Sequence, residues 1–340
     1  MQAVILVGGE GTRLRPFTSS EPKQMLPIMG IPMLEGVLRH LGLHGVDEAI
    51  LSLGYLPDKF LEAYPTNECA GVRLRYAIEP EPLDTAGAIR FAAEELHVGE
   101  TFVVVNGDVL TDLDLTSLLA FHRETGAEGT LALHPVDDPS RYGVVPTDER
   151  GRVKEFVEKP DRQHAPTNEI NAGTYVLEPS VLDRIPLGEK VSIERVIFPQ
   201  MVRDGVLYAR CDESYWLDTG TPASFLQAHH DFLSGERVGK FAPGVLANGS
   251  FVHVNAVVAA DARVSSSMID AGVHLASGAV VTNSVIFPDV TIAGGVTVTN
   301  SIVGTGAILE SGVQLESTCV IGFGEVIPAH SVLSDARVPS

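Results

Sequence analysis

Residues 8 to 28 read GGEGTRLRPFTSSEPKQMLPI, a composition suited to gripping a phosphorylated ligand. Gly8, Gly9 and Gly11 let backbone N–H groups come close to a polyphosphate. Arg13, Arg15 and Lys23 add fixed cations in the same short segment. The plainer account of such a loop is a tight turn with solvated charges. The formal net charge of -20 weighs against it, because the three cations gather against the prevailing sign. No Gly-Lys-Ser/Thr follows, so this is not a P-loop, and the third glycine of the dinucleotide fingerprint is missing.

Other polar groups sit where strands should end. Asn106-Gly107-Asp108 follows the apolar run Phe102–Val105. A carboxylate at the carboxyl end of a parallel strand is well placed to hold Mg²⁺ against phosphates, although Asn-Gly-Asp is also an ordinary turn. Glu158-Lys159 closes the strand-like run Val153–Val157, and such a pair is ordinarily solvated. Trp216, the single tryptophan, lies in Tyr215-Trp216-Leu217-Asp218-Thr219-Gly220, which reads on its own as a buried ring beside a turn. Asp84 precedes Thr85-Ala86-Gly87 as a helix N-cap would. Three histidines of the C-terminal third, His253, His274 and His330, fit no acyltransferase pattern.

Alternating strands and helices would position these groups. Ala3–Val7, Ala49–Leu53, Leu74–Ile78 and Phe102–Val105 are near-continuous apolar runs, as expected of parallel strands covered on both faces. Helical patterns at Met33–Leu43 and Thr85–Leu96 lie between them, and the alternation reads as a doubly wound α/β domain. Its ligands would sit beyond the carboxyl ends of the strands, at the loops after Val7 and Val105. Strands Gly173–Leu177 and Val206–Arg210 and a closing helix Ala223–Leu233 complete a domain over 1–233. Residues 234–244, rich in glycine and charge, read as a linker.

From 245 to 340 the texture changes. Aliphatic residues recur every six positions at Val303, Leu309, Leu315, Ile321, Ile327 and Leu333. The same step links Ile269, Leu275 and Val281, and then Ile286, Ile292 and Val298. Runs starting at Ile269, Ile286 and Val303 lie 17 residues apart, and Val281-Thr-Asn-Ser-Val285 is nearly copied by Val298-Thr-Asn-Ser-Ile302. Three six-residue faces per turn mark a left-handed parallel β-helix of roughly five coils, whose end coil should pack on the first domain or on another subunit.

The bulk numbers exclude several functions. With 340 residues and 44% hydrophobic content, a large core in two domains is expected. The acidic balance argues against nucleic acid and against anionic membranes. No apolar stretch approaches a membrane span, and the N-terminus lacks a basic, signal-like start. Cys69, Cys211 and Cys319, far apart and odd in number, read as buried thiols of a reduced, cytoplasmic protein.

The segment Gly8 to Ile28, GG-x-GTRL-x-P-x-T followed by PK-x-MLPI, closely resembles the signature of the sugar-1-phosphate nucleotidylyltransferases. Later segments resemble that family's motifs in order, over essentially the whole chain. The resemblance implies a Rossmann-like doubly wound catalytic domain followed by the short β-helix. It implies nucleotide binding by Leu6, Gly8, Gly9, Gly11, Thr12, Arg13, Lys23, Thr85, Ala86, Gly87, Asn106, Gly107 and Asp108. The sugar phosphate would be held by Gly143, Glu158, Lys159, Asn171 and Gly173. Mg²⁺ would be held by Asp108 and Asp218, a pairing that rests on the resemblance alone. Arg13, Lys23, Asp108, Lys159 and Asp218 would carry catalysis.

The reaction implied joins a nucleoside triphosphate and a sugar 1-phosphate into a nucleotide-sugar, releasing pyrophosphate. Among family branches, Leu-x-Thr-Ala-Gly and Ile-Asn-Ala-Gly most resemble the mannose-1-phosphate guanylyltransferases. Asp84 stands where that pattern has glycine, which keeps glucose 1-phosphate or a cyclitol phosphate open as substrate. A silent, regulatory nucleotide-sugar-binding relative is the alternative of another class. A homo-oligomer, a dimer or higher, is expected, in keeping with the exposed end coil of the β-helix.

Overall fold

A computed structural model describes residues 1–95 and 97–339. Leu96, at the end of one expected helix, and Ser340, at the end of the expected β-helix, lie outside the described residues. By their contacts, residues 1–9 and 37–216 group into one unit, and residues 10–36 and 217–340 into a second. No helix among the described residues is long and apolar enough to cross a membrane.

The elements that matter follow the expected alternation: β1 (Gln2–Leu6), α1 (Met33–Leu43), β2 (Glu48–Leu53), β3 (Val72–Ile78), α2 (Asp84–Glu95), β4 (Phe102–Asn106) and α3 (Leu115–Thr125). They continue with β5 (Gly129–Pro135), β6 (Gly143–Val144), β7 (Val157–Glu158), β8 (Glu169–Leu177), β9 (Leu207–Cys211) and α4 (Pro222–Ser234).

In the first unit the sheet runs β7-β6-β8-β4-β1-β2-β3 and ends on the short strand Glu68–Cys69; β5 pairs with β8, and β9 with β5. Strands β4, β1, β2 and β3 are mutually parallel. In β1, β2 and β4 the apolar runs are continuous because both faces are covered: Val4, Ile50 and Val104 share a core with Ala86, Ile89, Ala92 and Ala93 of α2. Leu74–Ile78, expected to be covered on both faces, instead alternates within β3: Val72, Leu74 and Ala77 are buried while Arg73 and Ile78 are exposed, as on a strand near the sheet edge. Small residues along one face of α2 let it lie close to the strands. The chain builds outward from β1 to β2 and β3 on one side, then crosses back through α2 to β4 on the other side of β1. That reversal creates a crevice at the carboxyl ends of β1 and β4. Strand β8 runs antiparallel to β4 and β5, with a bulge between Asn171 and Tyr175.

Two further expectations need correction. Val153–Val157 is not a strand. Arg152 and Val153 form isolated bridges to Tyr208 and Thr147, and only Val157–Glu158 is regular. The Val153 N–H goes to Leu207 O (3.0 Å) and the Lys154 N–H to Pro146 O (2.9 Å), so the run changes partners instead of following one ladder. None of the three thiols is in a disulfide, but only Cys69 and Cys319 are buried; Cys211 is exposed at the end of β9. Partial burial of its sulfur and the neighbouring Glu169 carboxylate push that thiol up to about 11.

In the second unit, α4 starts on a reciprocal cap between Thr221 and Ser224 and stops at Gly235, whose φ of 82° only glycine adopts cheaply. The largely exposed stretch 234–244 is anchored at Phe241 and Ala242. Phe241 packs between Phe232 (5.7 Å) and Phe251 (6.2 Å), and the Ala242 N–H reaches Met29 O at 3.1 Å.

Beyond it, short strands stack into three sheets, each built from the same face of successive coils. Ile269, Ile286, Val303 and Ile321 share one buried column; Leu275, Ile292, Leu309 and Ile327 form a second; Val281, Val298 and Leu315 form a third. This is the β-helix that the six-residue period implies. Its repeated Thr-Asn-Ser corners also have a cause. Asn283 and Asn300 take left-handed φ values of 52° and 50°, a region that asparagine tolerates. Ser267, Ser284 and Ser301 stack beneath them. Each lower hydroxyl accepts the next serine's N–H at 3.0 Å, so the buried corner leaves no donor unmet.

Candidate active site

The first unit gathers polar groups at the crevice ends of β4 and β8. The Gly107 N–H donates to Leu6 O (3.0 Å), tying the Asn106-Gly107-Asp108 turn to the end of β1. A Cβ on Gly107 would lie 2.6 Å from Val7 Cγ1, so only glycine allows this approach. Gly8 packs against Gly54 and lies near Glu79, whose Oε2 accepts the Leu83 N–H at 3.0 Å. Gly9 is exposed, with open space around it.

The bulge in β8 holds Asn171 and Gly173. Gly173 has φ 75°, and a Cβ there would strike the Asn106 amide at 2.7 Å. Asn171 accepts the Gly173 N–H (3.1 Å) and donates to the Tyr175 hydroxyl (2.9 Å). Its amide and carbonyl each retain capacity for one further bond. Tyr175 is fully buried, and burial together with Glu194, Glu158 and Asp108 holds its phenol well above the ordinary range, hence protonated. It was not singled out from sequence, where Gly-Thr-Tyr-Val-Leu reads only as strand. Trp216 Nε1 donates to Ala172 O (2.9 Å), fixing the bulge from its other side, and the ring stacks on His134 at 5.5 Å.

Gly143 faces Glu158 across the β6/β7 hairpin, with Phe156 so close that a Cβ would lie 2.6 Å from its ring. Glu158 is partly buried and ion-pairs with Lys159 at 3.6 Å. Lys159 projects from a strained backbone, φ 49°, with its N–H on Tyr142 O (3.0 Å).

The Thr85-Ala86-Gly87 segment is occupied by the protein itself. Thr85 Oγ1 donates to Glu194 (2.7 Å) and accepts the Ile193 N–H, while the Ala86 and Gly87 N–H groups reach Val191 O. Glu194 was also missed, because a lone Glu after Ser-Ile carries no local signal. Asp84 is not a conventional N-cap. Its φ is 59°, the conformation that the family's glycine would take without strain, and its carboxylate accepts the adjacent Thr85 N–H at 2.8 Å.

The second unit holds the rest of the signature. Gly11, at φ 60°, opens the turn Thr12–Leu14, and its carbonyl accepts the Thr18 hydroxyl at 2.8 Å. Thr12 is exposed on this turn, whereas Lys23 is buried, its Cβ lying 3.2 Å from where a Gly11 side chain would begin. The Arg13 guanidinium and the Asp218 carboxylate converge on Gly220, where a Cβ would collide with both. Asp218 Oδ1 accepts the Gly220 N–H at 2.8 Å. Arg15 pairs with Glu10 at 3.1 Å on the exposed side of the loop.

A glycine-lined turn after the first strand, carboxylates at strand ends and a few placed cations define a phosphate-handling α/β protein. The chain belongs to the nucleotidyl transferase family, which matches residues 2–235, and residues 246–339 match the GMPPB C-terminal domain. It is 45% identical over 237 residues to the mannose-1-phosphate guanylyltransferase of Mycobacterium tuberculosis, covering 69% of this chain and 65% of that protein. It is 40% identical over 254 residues to the mannose-1-phosphate guanylyltransferase catalytic subunit beta of Dictyostelium discoideum, covering 74% and 69%. Among solved structures it resembles HddC from Yersinia pseudotuberculosis, also solved complexed with GMP-PN, with 32% identity and a TM-score of 0.59 over 68% of this chain and 99% of that one.

Proposed function

We propose that this protein transfers a guanylyl group from GTP to mannose 1-phosphate, giving GDP-mannose and pyrophosphate. The observation that carries the reading is the guanylyltransferase activity named for its relatives. The GMP-PN bound to HddC favours the same base.

The chemistry asks for positioning more than for acid or base. The sugar phosphate oxygen is already anionic at neutral pH and attacks the α-phosphorus in line, so no general base is required. The obstacle is bringing one anion to another, and the remedy is fixed positive charge and orientation. Arg13, held against Gly220, would neutralise the departing pyrophosphate. Lys23 would sit beside the reacting phosphates, and Lys159 would hold the nucleophile's phosphate. Glu158 and the unused donor and acceptor of Asn171 would read sugar hydroxyls.

Asp108 and Asp218 offer hard oxygen donors of the kind Mg²⁺ prefers. No cluster of three or more His, Cys, Asp or Glu side chains among the described residues is arranged to hold an ion. Such a cation would therefore complete its shell with phosphate and water oxygens, as Mg²⁺ does at nucleotide sites. When bound, it would supply further charge neutralisation on the phosphates.

The same proposal includes a homo-oligomer and a cytoplasmic setting. Exposed Val245 and Leu246, on the strand that pairs antiparallel with the start of the β-helix, support the former, and cysteines outside any disulfide support the latter.

The test is pyrophosphate release with Mg²⁺, crossing GTP, dTTP, ATP and UTP with mannose, glucose and cyclitol phosphates. GTP with mannose 1-phosphate should give the highest kcat/KM. A preference for dTTP would overturn the guanylyl assignment, and no release with any pair would favour a silent nucleotide-sugar-binding role.

A further inference from the structure

The last coil of the β-helix grips the main chain of the signature loop. Arg337 donates through Nη1 to the backbone carbonyls of Arg13 (2.7 Å) and Arg15 (2.8 Å). Both acceptors belong to the turn Thr12–Leu14 and the residue that closes it. So short a turn leaves carbonyls without partners of their own. The neighbouring residues are held by packing. A Cβ on Gly322 would lie 3.2 Å from Pro16 Cγ. The buried Phe17 ring lies 5.5 Å from Phe287 and 5.2 Å from Phe323. Phe287 and Phe323 follow the strands Val285–Ile286 and Val320–Ile321, and Arg337 pairs with Val320 on the next coil. The β-helix thus holds residues 13–17 with two hydrogen bonds at one end and an aromatic cluster at the other.

The same residue whose carbonyl is held, Arg13, places its guanidinium over Gly220 beside Asp218. Holding the Arg13 and Arg15 carbonyls limits rotation of the main chain between them, and so limits the positions from which the Arg13 side chain can start. We propose that Arg337 is a positioning residue for the nucleotide phosphates: it sets the backbone from Arg13 to Arg15 so that the Arg13 guanidinium is oriented before ligand arrives. A group already in place needs no reorganisation when charge develops on the leaving phosphates. The proposal rests on the reading of Arg13 as a phosphate ligand. Arg337 itself touches no reacting atom. Its contribution is to a main-chain conformation, so a lysine, which can also donate from one nitrogen to two carbonyls, should restore part of it.

The test uses the full chain and two independent readouts, amide hydrogen exchange of the free protein and steady-state kinetics. Arg337→Ala should speed exchange of the amides of residues 12–15 and 17 by roughly 10-fold or more while the coils from 268 to 303 keep their rates. It should lower kcat/KM for the nucleotide by roughly 10-fold or more and leave KM for the sugar 1-phosphate within about twofold. Arg337→Lys should recover part of both effects. Unchanged exchange in the loop would overturn the proposal. So would faster exchange throughout the β-helix with equal losses for both substrates, which is the signature of a merely structural residue. If the wild-type chain transfers no nucleotide to any sugar phosphate, the functional reading fails by itself, and the exchange measurement still decides whether Arg337 braces the loop.

Discussion

The α/β unit and the β-helix use irregular backbone in opposite ways. In the β-helix, left-handed corners recur at Asn283 and Asn300 with the same serine ladder beneath them. In the α/β unit left-handed residues recur at no fixed spacing, and three of them, Asp84, Lys159 and Gly173, stand beside polar side chains rather than beneath a copy of themselves. An exception that repeats every coil is part of the scaffold. One that occurs once, at a strand or helix end among polar groups, marks a place where the scaffold serves something else.

That contrast can be broken from either side. The largest effect on stability should come from Ile292→Ala, which empties a fully buried position in the repeating column. It should cost about 2–5 kcal/mol in urea unfolding. The chemistry of the surviving folded protein should stay near normal, and a large loss of kcat at low temperature would blur the division. Asp108→Asn should do the reverse. It should lower kcat by at least about 100-fold, equivalent to about 2.7 kcal/mol, with little change in unfolding. Near-normal turnover in Mg²⁺ would remove Asp108 from the proposed metal site.

A smaller, pH-dependent effect is expected at α4. His229 is fully buried there, and burial lowers its pKa to about 4, with its Nδ1–H donating to Phe225 O at 3.0 Å. The unfolded chain binds this proton near pH 6.5 and the folded chain does not. The stability associated with neutral His229 is therefore complete above about pH 6.5 and lost as pH falls toward 4. His229→Gln should flatten unfolding free energy against pH in that window by up to one proton, and an unchanged slope would contradict it. The smallest effect should follow Asp84→Gly. Relief of a left-handed aspartate opposes loss of its bond to the Thr85 N–H, so the net change should stay within about 1 kcal/mol. If the variant also changes the preference between mannose and glucose 1-phosphate, Asp84 sets substrate range through more than backbone strain.

Where the sequence was legible, a simple physical rule made it so. The six-residue aliphatic period names the core columns of the β-helix because each coil buries one residue per face. Apolar runs name β1, β2 and β4 because both faces are covered. Val153–Val157 misled because a strand needs a constant partner as well as suitable residues, and the chain changes partners there. Cys211 misled because a strand's last residue can face solvent. Thr85-Ala86-Gly87 could be placed at a helix start, but not its bonds to Glu194, Ile193 and Val191, which come from more than a hundred residues away. Tyr175 and Arg337 carry no local pattern at all. One is made notable by surrounding carboxylates and the other by two carbonyls near the opposite end of the chain.

Phosphorus NMR of the protein with GTP, mannose 1-phosphate and Mg²⁺ tests the central claim most directly. The proposed reaction requires one pyrophosphate and one new sugar-linked diphosphate for every GTP consumed, with no orthophosphate. Orthophosphate without a nucleotide-sugar, or an unchanged spectrum with every nucleotide and sugar phosphate tried, would contradict it.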